Sequence, residues 1–166
     1  MYKRSFVLFL SYFNRNRDYF ECHEVLEEHW KDVAPGERHH ELVGFIQLAT
    51  GLYHWRRGNF RGAQTILKKA EAHLLMHPSS DYYDGIDIAN TLEKLADCRT
   101  AVAHQHAFSP FEIVITDSQL LAEVQAVTLP TYSEQFIMHK HTLRNRDDVI
   151  LLRKQNLRQK QKLRGQ

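Results

Sequence analysis

The amino-acid sequence predicts an all-α fold, in which a compact antiparallel helical bundle is followed by a short extended segment and a helical basic tail. Two observations support this prediction. Apolar residues recur every three or four positions in three successive segments, the second to the fourth predicted helix, and this is the period of an amphipathic helix. Asn, Gly or Pro residues separate these segments, and these residue types commonly start or end helices. The 166 residues, of which 43% are hydrophobic, can bury a core without disulfides.

The helical segments have recognisable start and stop residues. Asp18, with Glu21 three residues later, is typical of a helix N-cap with a capping box. Gly58 is a typical C-terminal stop, and Asn59 directly after it is expected to cap the next helix. The five predicted helices span residues 2–13, 18–31, 37–57, 59–76 and 86–105.

The pattern changes at Ser109 and Pro110, so we expect residues 1–107 to form the bundle domain and residues 108–166 a C-terminal extension. Phe111, Ile113 and Ile115 alternate with Glu112, Val114 and Thr116, and this period of two predicts a short strand or an extended arm. Residues 118–127 favour a short helix. Residues 146–164 favour a polar helix rich in Lys, Arg and Gln.

Two glycines lie seven residues apart on nearly the same line of the third predicted helix, Gly44 and Gly51. A glycine in a helix interior costs about 1 kcal/mol relative to alanine, so some other interaction must compensate. We expect another helix or the C-terminal segment to approach this line closely.

Cysteine use and hydropathy indicate the cellular setting. Cys22 and Cys98 form no CxxC motif and fall inside helical patterns, so we expect buried thiols in a reducing compartment. No stretch approaches the roughly 20 apolar residues that a membrane span needs. We therefore expect a cytoplasmic protein without a membrane partner.

Charge is unevenly spread along the chain. From Lys140 onward there are nine Lys and Arg residues against two Asp and Glu, whereas the first 139 residues carry 13 basic and 18 acidic residues. The tail could therefore contact an acidic surface, including the body of the same protein. No aromatic residue follows Phe136, so base stacking is not supported and nucleic acid is a disfavoured partner.

A polar stripe borders the apolar face of the second predicted helix. His23 and Glu27 are i, i+4 neighbours, and Phe20 and Glu24 flank them. The third helix carries a second polar stripe, which includes Gln47 and His54. If these two helices face each other, the stripes enclose a small polar pocket.

This pocket has three interpretations. His23, Glu27 and His54 could bind a divalent metal and leave an open position for water. The same residues could act as general acid and base, with Phe20, Glu24 and Gln47 contacting the substrate. Alternatively, they form a buried hydrogen-bond network that ties two helices together. The HExxH motif of metalloproteases is absent, because position 27 is Glu rather than His.

The motif His23-Glu24-x-x-Glu27-x-x-Trp30, preceded by Phe20, resembles the hallmark of the domain-of-unknown-function family 309. A second block, with Gln47, His54, Gly58 and Asn59, is also similar to that family. The resemblance covers roughly residues 12–75. It implies a compact all-α fold of antiparallel helices and supplies no established reaction, substrate or cofactor.

Two functions follow as hypotheses from these residues. The first is a helical-bundle protein whose His/Glu pocket carries out metal-assisted or acid/base hydrolysis. The alternative is a non-enzymatic interaction module, in which the same residues are structural. The helical surface would then bind a second copy of the chain or another protein.

Overall fold

The computed structural model describes residues 1–143, 154, 155 and 158, and over these residues the fold is all-α, as predicted. A π-helical turn, Tyr12–Asn16, follows the first helix, and a 3-10 turn, Asp81–Tyr83, precedes the fifth. The eight α-helices of the described residues are α1 Arg4–Ser11, α2 Tyr19–Val33, α3 Glu41–Arg56, α4 Phe60–Met76, α5 Ile88–Ala103, α6 Ser118–Ala126, α7 Glu134–Met138 and α8 Lys140–Leu143.

The predicted helix starts and stops agree with the structure to within two residues, apart from the start of the third helix and the end of the first. Gly58 adopts a φ of 76°, as a stop glycine does, and the Asn59 side chain caps α4 by accepting a hydrogen bond from the Gly62 amide. The third helix begins at Glu41 instead of residue 37, because the His40 side chain caps it by accepting from the Leu42 amide. The first helix changes to π geometry at Tyr12.

Helix α3 lies against α4, and its two interior glycines are at their contact. A Cβ atom on Gly44 would lie 2.8 Å from the Leu74 side chain, and one on Gly51 would lie 2.6 Å from Leu67 Cγ. The start of α3 therefore meets the end of α4, so the pair is antiparallel. The expected close approach is confirmed, and the approaching element is a helix.

The segment before α6 is extended, and its one β-bridge joins Ile115 to Ile86 in antiparallel orientation. The Asn14 side chain takes the place of a neighbouring strand. Its Nδ2 donates to the Ile113 carbonyl, and its Oδ1 accepts from the Ile113 amide, both at 2.9 Å. This confirms a short extended segment, and Ile113 packs in the same hydrophobic core as Phe13 of the π-helical turn.

The end of the described chain returns to α2. The Lys140 ammonium lies 2.8 Å from Asp18 Oδ2 and 2.8 Å from Glu21 Oε1, with only 6% of its side chain exposed. The short helices α7 and α8 were not predicted. The predicted helix over 146–164 falls almost entirely outside the described residues, and the division at residue 107 stays a prediction. Within the described part of the chain, no helix is long and apolar enough to cross a bilayer.

Candidate functional site

The candidate site lies on helix α2, and the cap and buried face of this helix determine which side chains reach the surface. Asp18 caps it by accepting a hydrogen bond from the Glu21 amide at 3.1 Å, while the Glu21 side chain pairs with Lys140. The predicted reciprocal bond of a capping box is thus replaced by an ion pair. The helix buries Tyr19, Cys22 and Leu26, which leaves the neighbouring polar stripe half-exposed.

Three side chains of this stripe converge: His23, Glu24 and Glu27. His23 Nδ1 lies 3.3 Å from Glu24 Oε1 and 3.9 Å from Glu27 Oε2. One potential ligand atom from each residue lies within 4.8 Å of the other two. About a third of each side chain is exposed, so a solute can reach the group.

Glu27 also has a cationic neighbour on the same helix. Its Oε1 lies 3.0 Å from the Lys31 ammonium, in an i, i+4 pair. The other oxygen, Oε2, faces His23. Glu27 therefore has one oxygen engaged by a cation and one directed to the imidazole.

Glu27 lines a pocket of about 560 Å³ between α2, α3 and α4. Gln47 lines the same pocket, and its Oε1 is buried without a hydrogen-bond partner among the described residues. A buried carbonyl oxygen without a donor is unusual, and a bound solute or water can satisfy it. Arg38 and Lys69 also line the pocket, so its rim carries positive charge. His23 and Glu24 adjoin the pocket but do not line it.

His54 lies apart from this group and has a different environment. Its Nδ1 accepts a hydrogen bond from Asn59 Nδ2 at 3.1 Å, within the turn that joins α3 to α4. Burial lowers the pKa of His54, and the nearby Arg57 cation lowers it further. Over the described residues, the group with metal-ligand geometry contains His23, Glu24 and Glu27, and the role of His54 as a ligand stays a prediction.

Phe20 contacts α3 through the Tyr53 ring, with 6.1 Å between the ring centroids. The Tyr53 hydroxyl is hydrogen-bonded to His141 Nδ1 at 2.6 Å and accepts from the His141 amide at 3.2 Å. The Phe20 side chain therefore takes part in packing where the C-terminal segment crosses α3. Its predicted contact with a substrate stays a prediction.

The sequence pattern did not indicate the ion pair of Lys140 with Asp18 and Glu21. Burial lowers the pKa of the Lys140 ammonium, but hydrogen bonds to both carboxylates outweigh burial and raise it overall. The only signal in the sequence was the opposite charge of body and tail. That signal gives no partner, because 122 residues separate Lys140 from Asp18.

Both polar stripes lie in a part of the chain that matches a known protein family. A model of a domain of unknown function, DUF309, matches residues 6–66. An uncharacterized protein, YpuF of Bacillus subtilis (strain 168), is 32% identical over 173 residues, and the alignment covers 99% of each chain. No solved structure matches the chain significantly. The resemblance predicted from the two sequence blocks is confirmed.

Proposed function

We propose that this chain, which belongs to the DUF309 family, binds a divalent transition metal through His23, Glu24 and Glu27 and hydrolyses a small anionic ester. The observation that carries the proposal is the convergence of one ligand atom from each residue within 4.8 Å, beside a pocket that Glu27 lines. The family relationship supplies no reaction, so the proposal rests on this geometry.

The donor set fits such an ion. One imidazole and two carboxylates suit Zn²⁺, Mn²⁺ or Fe²⁺, and three protein ligands leave a coordination position for water. The Lys31 ammonium leaves Glu27 Oε2 available, because it pairs with Oε1. A metal bound by three such ligands supplies an activated water at neutral pH.

The residues around the pocket support an anionic substrate. Arg38 and Lys69 favour a carboxylate or phosphate group on the substrate. The unpartnered Gln47 Oε1 can accept a hydrogen bond from a hydroxyl or amide of the substrate and so orient it. Trp30 and Ile46 add apolar walls to the same pocket.

Metal binding is tested first, on tag-free protein. We expect titration calorimetry to find one Zn²⁺ or Mn²⁺ per chain, and we expect Glu27→Gln and His23→Asn to weaken binding at least tenfold with unchanged circular dichroism. Glu28→Gln is the matched control, because Glu28 lies on α2 and is exposed. Equal loss in Glu28→Gln, or no binding by the wild-type chain, would contradict the proposal.

Activity is tested with p-nitrophenyl phosphate and a p-nitrophenyl ester of a dicarboxylic acid. We expect turnover that depends on added metal, disappears in Glu27→Gln and persists in Glu28→Gln. Gln47→Leu should raise KM more than it lowers kcat, because Gln47 orients substrate and holds no metal. Metal binding without turnover of either ester would keep the metal site and remove the hydrolytic assignment.

A second candidate function, the non-enzymatic interaction module, is favoured by exposed apolar residues at the end of α4. Leu75 is 59% exposed and Met76 is 51% exposed. Such side chains can anchor a protein partner or a second copy of the chain. Sedimentation of Leu75→Ser beside the wild type tests this function, since loss of a wild-type dimer would support it and a monomeric wild type would remove self-association.

A further inference from the structure

A second pocket, of about 530 Å³, lies on another part of the surface and is lined by three arginines: Arg15, Arg17 and Arg56. They come from the π-helical turn, the residue after it and the last residue of α3. One acidic residue, Glu134, also lines this pocket. Its charged lining therefore carries a net excess of two positive charges.

Backbone and aromatic groups hold the Arg56 guanidinium in place. Its Nη1 donates to the Arg17 carbonyl at 2.6 Å and its Nη2 to the Ile137 carbonyl at 3.4 Å. Its Cζ lies 4.8 Å from the centroid of the Tyr19 ring and 5.8 Å from that of the Phe108 ring. Carbonyls and ring faces orient a cation but do not neutralise its charge.

The other two guanidinium groups also form no ion pair with a described carboxylate. Arg15 Nη1 donates to the carbonyls of Val124 and Val127, at 2.9 and 2.7 Å, at the end of α6. The Arg17 side chain is exposed. None of the three arginines forms a salt bridge with any carboxylate of the residues that the structure describes.

The pocket lining also has an apolar part. It is formed by Phe108 and Pro110 from the extended segment, and by Ile137 and Met138 from α7. A volume of this size suits a small organic molecule. We propose that the pocket between the π-helical turn, the end of α3 and α7 binds a small organic oxyanion, with its carboxylate or phosphate toward the arginines and its apolar part against Phe108.

This site is independent of the proposed metal group. Its lining shares no residue with that of the pocket that Glu27 lines. Failure of one assignment therefore leaves the other standing, and circular dichroism checks that a variant of the arginine pocket retains its fold.

The test uses phenyl phosphate and benzoate as probes, with benzyl alcohol as a neutral probe of similar size. NMR titration of the full chain is expected to show saturable shifts for at least one anion, centred on Phe108, Ile137 and Met138. The neutral probe should produce no saturable shift. Comparing the two anions decides whether the oxyanion is a phosphate or a carboxylate.

Two matched variants identify the site. Arg17→Gln should weaken binding of the anion by about threefold to tenfold, because it removes one of three neighbouring cations. Arg61→Gln removes another exposed arginine, on the surface of α4, and should leave binding unchanged. Absence of saturation by both anions, equal weakening in both variants, or equal affinity for benzyl alcohol would overturn the proposal.

Discussion

His54 Nδ1 accepts a hydrogen bond from Asn59 Nδ2 at 3.1 Å, while Asn59 Oδ1 accepts from the Gly62 amide at 3.0 Å. One asparagine side chain thus connects the last turn of α3 to the first turn of α4. Gly58, with a φ of 76°, reverses the chain between them. Because α3 and α4 form the antiparallel pair at the core, this turn determines how the bundle closes.

Loss of the asparagine cap should destabilise the fold. We expect Asn59→Ala to lower the free energy of unfolding by about 1–2 kcal/mol, because the Gly62 amide loses its acceptor and His54 its donor. Urea unfolding measures the change. Asn59→Asp is the control, since it retains the cap acceptor and loses only the donor to His54, so it should retain most of the stability.

The environment of His54 predicts a pH dependence of stability. Burial, with help from Arg57, lowers the pKa of His54 from its ordinary value of 6.5, so the unfolded chain takes up this proton at a higher pH than the folded chain. Stability should therefore decrease as the pH falls below about 6.5 and approaches the lower folded-state pKa. His54→Gln should flatten this part of the profile. An identical slope in wild type and variant would assign the dependence to other groups.

The residues of this turn show which structural features can be predicted from the sequence. Gly58, Asn59 and the glycine line of α3 were predicted from local chemistry, because helix caps and close helix contacts leave specific residue types in the sequence. His54 was predicted on the pocket side from its helical spacing alone. Spacing fixes the direction of a side chain but not its partner, and the adjacent Asn59 amide is the partner that His54 has.

Partners distant in sequence could not be predicted. The convergence of His23 and Glu27 followed from their i, i+4 spacing, but the Lys140 ion pair joins residues from opposite ends of the chain. Helices α7 and α8, of five and four residues, are too short for a hydrophobic period to be recognised. The position of α8 depends on its pairing with Asp18 and Glu21. A short stretch of sequence around α8 does not contain this information.

The contact at Gly51 predicts that adding a methyl group at this position destabilises the fold. Gly51→Ala gains about 1 kcal/mol of helix propensity, but its Cβ would lie 2.6 Å from Leu67 Cγ and 3.3 Å from the Leu67 backbone nitrogen. We expect a net loss of about 1–2 kcal/mol in the free energy of unfolding, from overpacking. A double-mutant cycle with Leu67→Ala checks the cause, because the methyl group should cost less when Leu67 is truncated. Additive effects would place the strain elsewhere.

The two cysteines should be unreactive in the folded protein. Both are buried and free, and burial raises the pKa of Cys98 to about 12 and that of Cys22 well above its usual range. The thiolate is the reactive form, so a disulfide reagent at pH 8 should label folded protein far more slowly than a model thiol. Both thiols should react at once in urea. Rapid labelling of either one under native conditions would contradict the burial.

Removal of the Lys140 charge should detach the C-terminal segment from α2. Lys140→Met leaves Asp18 and Glu21 without their cation, and breaking a buried pair costs about 3–5 kcal/mol when the remaining charges stay buried. We expect a smaller loss of global stability, because α7 and α8 can move away and let water solvate both carboxylates. Hydrogen exchange should then accelerate over residues 132–143 while the amides of α3 stay protected.

Lys69→Met, on the exposed face of α4, is the control. Unchanged exchange over residues 132–143 in Lys140→Met would mean that the ion pair does not hold the segment, and that contacts such as Tyr53 with His141 hold it instead.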